Sequence, residues 1–293
     1  MASDMAMDKP TPHGDQRCPN CLTALTGPYC SSCGQRQMDL DQPFREIAGE
    51  AMESFLSFDT RIVRTLWPLI RRPGLLTEDF LAGRRARYVH PFKLYFAFCV
   101  LLFLGLAMSG YSVIQIGEPE DIVTGVRVGV SEEEGVEEAA EASEEPSFLA
   151  RVLTPIGDLA ENDPDRLNRI FTDRLAKSII LLVPVFALLL LALYRGRRYV
   201  AHLVFSLHLH SFAFLTLVVG LVIDLVVGAT EESRPGNGLA VLVIAIYSFL
   251  ALRRVYGQGR FLTVMKMVFL LVGYLVALIA TMILTLALTV VTV

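Results

Sequence analysis

Five predominantly apolar stretches, at 92–110, 178–194, 204–227, 239–252 and 267–293, divide this chain into polar segments of very unequal length. At 1.5 Å of rise per residue, a helix over the first stretch is about 28 Å long, close to the ~30 Å hydrocarbon core of a bilayer. The pattern predicts an all-α membrane protein with about five transmembrane helices filling 92–293. The stretch 239–252 is the weakest, about 21 Å by the same arithmetic. It crosses only if Gly238 and its flanks extend it or the bilayer thins; otherwise it is a re-entrant segment, and the C-terminus changes side. Pro184 is expected to kink the second span.

Ahead of the first span the period changes. Phe44, Ile47, Ala48, Ala51, Phe55, Phe58 and Ile62 recur at helical spacing, with Arg45, Glu46, Glu50 and Glu53 on other faces. Arg72-Pro73-Gly74 ends that helix, and a short second one is predicted at about 75–82. Together, 43–91 read as an amphipathic juxtamembrane region. Residues 1–16 are polar and aperiodic, the signature of a disordered tail. The loop at about 117–146 ends in a run with eight glutamates and no base, too polar to bury a core, so disorder is expected there as well. From 146 to 177 apolar spacing returns, consistent with an interfacial helix leading into the second span.

Composition sharpens this picture. The chain is 53% hydrophobic and only 19% charged, below the roughly 25% of soluble domains. The net charge of −4 says little, because acids and bases are segregated along the chain. Eight bases at 61–93, three between spans two and three and four between spans four and five make fifteen. The long loop holds four near its end, Arg166, Arg169, Arg174 and Lys177, where charges count less. No signal-peptide core is present in the first 20 residues. The expected orientation has the N-terminus in the cytoplasm and the C-terminus outside. Arg71, Arg72, Arg84, Arg85 and Arg87 then lie against the cytoplasmic leaflet, where each base gains about 1 kcal/mol from anionic headgroups. They act either as specific headgroup contacts or as generic anchors.

The strongest chemical signal is Cys18-Pro-Asn-Cys21 followed, eight residues on, by Cys30-Ser-Ser-Cys33-Gly34. Two Cys-x-x-Cys turns facing each other close a tetrahedral Cys₄ zinc site, which places a zinc ribbon at 17–37. A reducing cytoplasm argues against disulfides, and the absence of a βαβ pattern argues against thioredoxin-like redox chemistry. Four thiolates leave no open position, so one structural zinc ion is expected, stabilising a head too small to fold on apolar burial. Residues 1–43 carry more acids than bases. A nucleic-acid partner is therefore not expected, and a protein partner fits better.

His202, His208 and His210 enter the third span. At 100° per residue, His202 and His210 lie about 80° apart and His208 about 160° from His210, so one helix cannot bring all three to one ion. Interhelical hydrogen bonding is one role for them; proton transfer or ligand contact is the other. Asp224 is expected to snorkel at the outer interface, and Cys99 to be an inert packing residue.

These features together resemble a group of bacterial membrane proteins built around a domain of unknown function. The matching residues are Cys18, Cys21, Cys30 and Cys33; Arg72-Pro73-Gly74; the run Gly83-Arg84-Arg85-Ala86-Arg87-Tyr88-Val89-His90-Pro91; and the histidine-bearing helix around His202, His208 and His210. The resemblance implies a bacterial inner-membrane location and no particular activity. The leading functional expectation is a membrane-embedded regulatory or adaptor protein that uses its zinc ribbon for protein contacts. The alternatives are a small transporter or channel subunit using the intramembrane histidines, and a membrane metalloenzyme. No catalytic motif supports the last, and an enzyme is not the favoured reading.

Overall fold

The computed structural model describes residues 17–36, 61–109, 162–229 and 233–292. The expected tail at 1–16, the first part (43–60) of the amphipathic region and the acidic loop at 117–146 lie outside the described residues. Among the described residues the chain is mostly helical and forms no strand; the N-terminal head contributes two isolated antiparallel bridges, Arg17 to Ala24 and Tyr29 to Arg36. The helices are α1 (Ile62–Arg71), α2 (Leu75–Leu81), α3 (Pro91–Met108), α4 (Pro164–Leu193), α5 (Tyr199–Val227), α6 (Pro235–Tyr256) and α7 (Arg260–Thr292). Among these, α3, α5, α6 and α7 are long and apolar enough to cross a membrane, and α4 adds a shorter apolar helix at Ile180–Leu193. The chain is thus a multi-pass membrane protein.

It divides into two compact units. One holds Met1–Ser109 and Leu182–Leu275, and the other Gly110–Leu181 and Val276–Val293. In the second unit, Asp163 begins α4 by accepting the Arg166 backbone N–H at 2.9 Å, satisfying one of the orphan donors of a helix start. The first unit contains everything that follows.

Helix α5 is its centre. Every residue from 202 to 212 is buried, with α3 and α6 packed along it and α1 and α2 against it as well. The outward faces of α6 and α7 carry Leu242, Ile246, Val268, Leu271 and Val272, all exposed. In water such a belt would be a liability; in lipid it is the expected surface.

The approach of α5 to α6 depends on two glycines. A Cβ on Gly220 would lie 2.7 Å from the Gly236 carbonyl oxygen, and one on Gly236 would collide with the Gly220 carbonyl. Close backbone contact of this kind is how membrane helices gain packing energy without a hydrophobic driving force between them. Beside it sits Asp224, and here the sequence expectation is corrected. Asp224 does not snorkel. It is 8% exposed and accepts the backbone N–H groups of Gly236 at 2.7 Å and Asn237 at 3.2 Å. Its carboxylate caps the positive end of the neighbouring helix.

That cap, with Pro235 in the first turn, explains why α6 is longer than its apolar run. The helix has 22 residues, about 33 Å, so the shortfall that left 239–252 open to a re-entrant reading disappears. Hydropathy could not register the extension, because Pro235, Gly236, Asn237 and Gly238 precede the apolar run and Arg253 and Arg254 separate it from Val255 and Tyr256.

Cations finish the C-terminal ends of two helices. Lys266 donates to the Leu193 carbonyl at 2.7 Å, closing the end of α4, and Arg197 donates to Val255 near the end of α6 at 2.7 Å. Both had entered the sequence reading only as bases that set orientation. Near Pro184, α5 supplies donors to α4: Ser206 Oγ to the Val183 carbonyl at 2.9 Å, and Tyr199 to the Pro184 carbonyl at 3.3 Å.

Candidate functional site

The head is built from two turns of the same design. In the first, Cys18 N–H donates to Thr23 O and Leu22 N–H to Cys18 O, both at 2.8 Å; in the second, Cys30 N–H donates to Gln35 O and Gly34 N–H to Cys30 O, both at 2.9 Å. The residue after each second cysteine is left-handed: Leu22 at φ 65° and Gly34 at φ 70°. Glycine adopts this conformation freely; leucine does so at a cost of about 1–3 kcal/mol.

The turns bring all four cysteine Sγ atoms within 4.8 Å of one another. Cys18 and Cys33 are 3.6 Å apart, and Cys21 and Cys30 are 3.4 Å apart. Tetrahedral thiolates bonded at ~2.3 Å to one ion sit roughly 3.8 Å from each other, so this set can hold one metal ion. The two thiols of the first turn differ in their surroundings. Burial pushes Cys18 up to about 11, whereas hydrogen bonding from Thr23 brings Cys21 down to about 6. The buried apolar part of the head is only Leu25 with Cys18 and Cys30, too little to order 20 residues by itself.

The head is fastened to the helical part through Gln35. Its Nε2 donates to Gly83 O at 2.6 Å, and its Oε1 accepts the backbone N–H groups of Arg85 and Ala86, both at 3.0 Å. Pro19 lies against Gly83, where an added Cβ would sit 2.9 Å from its ring. No periodicity or motif singled out Gln35; only the fold brings residue 35 to residue 83.

The basic stretch is more engaged than its charge count implied. Arg84 pairs with Asp79 at 2.5 Å, and Arg85 lies over the Phe80 ring at 4.7 Å while donating to the Phe80 carbonyl at 3.3 Å. Arg71 stacks on the exposed Trp67 at 4.5 Å. Arg71, Arg72 and Arg87 are exposed.

The three histidines of α5 are all buried and go to three separate partners. His202 Nδ1 meets the Tyr256 hydroxyl at 2.8 Å. His208 Nδ1 meets Thr77 Oγ1, on α2, at 3.0 Å. His210 Nδ1 is 2.8 Å from the Ser206 carbonyl and its Nε2 is 3.1 Å from the Tyr274 hydroxyl. A carbonyl can only accept, so the proton sits on Nδ1, and Nε2 accepts from Tyr274. The histidines therefore join α5 to α6, α2 and α7 rather than converging on one ion. Cys99 is buried in the α3 face of the same bundle. Just before α3, His90 is pressed between Phe80 and Phe92. Its Nδ1 is buried without a hydrogen-bond partner. Burial, with the nearby Arg85 charge, lowers its pKa to about 4.

The model of a family described as a protein of unknown function, DUF3667, matches residues 59–103. That stretch runs from α1 into α3 and includes the arginine-rich turn on which the head docks. No curated protein and no solved structure matches the chain.

Proposed function

We propose that this protein is a membrane-embedded regulatory or adaptor protein whose N-terminal head, a zinc ribbon held by Cys18, Cys21, Cys30 and Cys33, meets a protein partner. Zinc is the ion that suits four thiolates at tetrahedral spacing in a reducing compartment. The setting is a bacterial inner membrane, with the ribbon cytoplasmic and the C-terminus on the opposite side. Arg71, Arg72 and Arg87 face the anionic headgroups of that leaflet.

The observation that carries the reading is Leu22. It occupies the left-handed position that the equivalent turn gives to Gly34, yet its side chain is 66% exposed and gains little from packing. A strained, exposed leucine is costly to the free protein, and strain of this kind collects at contact sites. Tyr29, beside the second turn, is 59% exposed. The two offer an apolar and an aromatic anchor of the kind that dominates binding energy in protein interfaces.

The test is crosslinked affinity purification from membranes at matched abundance, comparing wild type with Leu22→Gly/Tyr29→Ser and with Cys18→Ser/Cys30→Ser. The first variant keeps the metal site and removes the anchors; the second removes the fold of the head. A partner captured by wild type and lost with both variants supports the reading. Identical capture by all three reduces the ribbon to a structural cap and overturns it.

A further inference from the structure

The docking of the head and the assembly of its cysteine cluster use the same residues. Pro19, which packs on Gly83, stands between Cys18 and Cys21. Gln35, which makes three hydrogen bonds to 83–86, is two residues past Cys33. Its own carbonyl accepts the Cys30 N–H at 2.9 Å, the bond that closes the second cysteine turn. One residue therefore closes the turn with its backbone and docks the head with its side chain.

Little besides the cysteines holds these residues in place. The buried cluster of the head joins Leu25 to Cys18 and Cys30, with Cys21 and Cys33 packed against it, so four of its five members are the cysteines. An ion that joins the four sulfurs fixes both turns at once. Without it, Pro19 and Gln35 lie on a segment that must be ordered for each docking contact, and the entropy of that ordering opposes docking. The receiving side is built independently. Gly83 follows α2 at φ 81°, the Arg84 N–H donates to Asp79 O at 2.8 Å, and Arg61 donates to Ala86 O at 2.9 Å. None of these contacts uses the head.

We infer that metal occupancy of the cysteine cluster gates the docking of the head. The metal-loaded head grips the 83–86 turn through Gln35 and Pro19, and the metal-free head releases it. The effector is a divalent ion of the kind four thiolates hold, and the element that responds lies inside 59–103, the stretch matched by the family model. Coupling between two binding events is reciprocal: a metal that favours docking is itself held more tightly by a docked head. A change at residue 83, far along the chain from every cysteine, then weakens metal binding. Gating of this kind rests on the reading of the four cysteines as a metal site and not on the protein partner, for it uses neither Leu22 nor Tyr29.

The experiment uses the full chain in detergent micelles. Zinc is titrated in competition with a chromophoric chelator for wild type, Gln35→Ala, Gly83→Ala and the control Arg71→Gln. Gln35→Ala removes the docking bonds from the side of the head. Gly83→Ala removes the fit from the side of the helices, because its Cβ would lie 2.9 Å from the Pro19 ring. Helical circular dichroism confirms that the variants are folded. Amide exchange at 83–86 is then followed for wild type and Gln35→Ala, with zinc and after its removal. Ala86 is the clearest reporter, since its N–H donates to Gln35 Oε1.

The expected result is that both docking variants bind zinc about tenfold more weakly than wild type while the control is unchanged. Removing zinc from the wild type should raise exchange at Ala86 to the level of zinc-loaded Gln35→Ala. Weakening by Gln35→Ala alone marks a local effect on the second turn and overturns the inference. So does zinc affinity that neither docking variant changes, or protection at 83–86 that survives zinc removal; in each of these cases the metal site itself stands. A wild type that binds no zinc overturns the metal reading and the gating together.

Discussion

The cysteine head and helix α5 are held together by opposite means. The head has a single buried leucine besides its cysteines, and its four sulfurs are placed to hold a metal ion, whose binding would supply the stability that apolar burial does not. In α5, eleven consecutive residues are buried, and order comes from helix packing supplemented by hydrogen bonds that join α5 to α2, α4, α6 and α7. Metal binding would concentrate the head's stability in one event, while α5 spreads its own over many small ones. Loss of the ion should be all-or-none for the head, whereas no single contact should be decisive for the bundle.

The sharpest way to expose that contrast is metal removal. Metal binding contributes about 10–16 kcal/mol to small zinc-dependent domains. A strong chelator should abolish hydrogen-exchange protection across 17–36 and leave that of α5 unchanged. If α5 loses protection as well, the two regions are not separate in stability.

Within the bundle, the largest single effect is expected where backbones touch. Gly236→Val forces α6 away from the Gly220 carbonyl and disturbs the Asp224 cap, an overpacking cost of about 1–3 kcal/mol. It should lower the midpoint of detergent-induced unfolding while metal content stays at one per chain. At the junction, Gln35→Ala deletes three hydrogen bonds and leaves the Arg85 and Ala86 N–H groups without that acceptor. The expected cost is about 1–3 kcal/mol, seen as faster amide exchange at 83–86 with the metal still bound. Faster exchange within 17–36 instead would mean that docking, and not the ion alone, orders the head. The smallest effect belongs to Tyr274→Phe, which removes one bond from His210. Interhelical bonds of this type contribute about 0.6 kcal/mol, so the unfolding midpoint should shift only slightly. A loss of several kcal/mol would mark His210 as a keystone and break the comparison.

Much of this was legible because it is local. Long apolar runs disclose membrane helices, since backbone groups in lipid must bond within their own segment. Cys-x-x-Cys spacing discloses a cluster able to hold a metal ion, since a tight turn and a second like it suffice to assemble four thiols. Helix periodicity spreads His202, His208 and His210 around α5, and each meets a residue of a different helix.

What the chain order could not disclose is pairing across distance. Asp224 reads as a lone acid near a span end until Gly236 and Asn237 appear beside it. Arg197 and Lys266 read as topology signals until the ends of α6 and α4 meet them. Gln35 has no signature until the backbone of 83–86 meets it. Sequence by itself determined the solvent of each segment and the chemistry of the cysteine turns, because both depend on neighbours a few residues away. Tertiary structure alone decided which polar groups satisfy one another, because in a low-dielectric bundle a buried donor or acceptor must find its partner on whichever helix packing brings near.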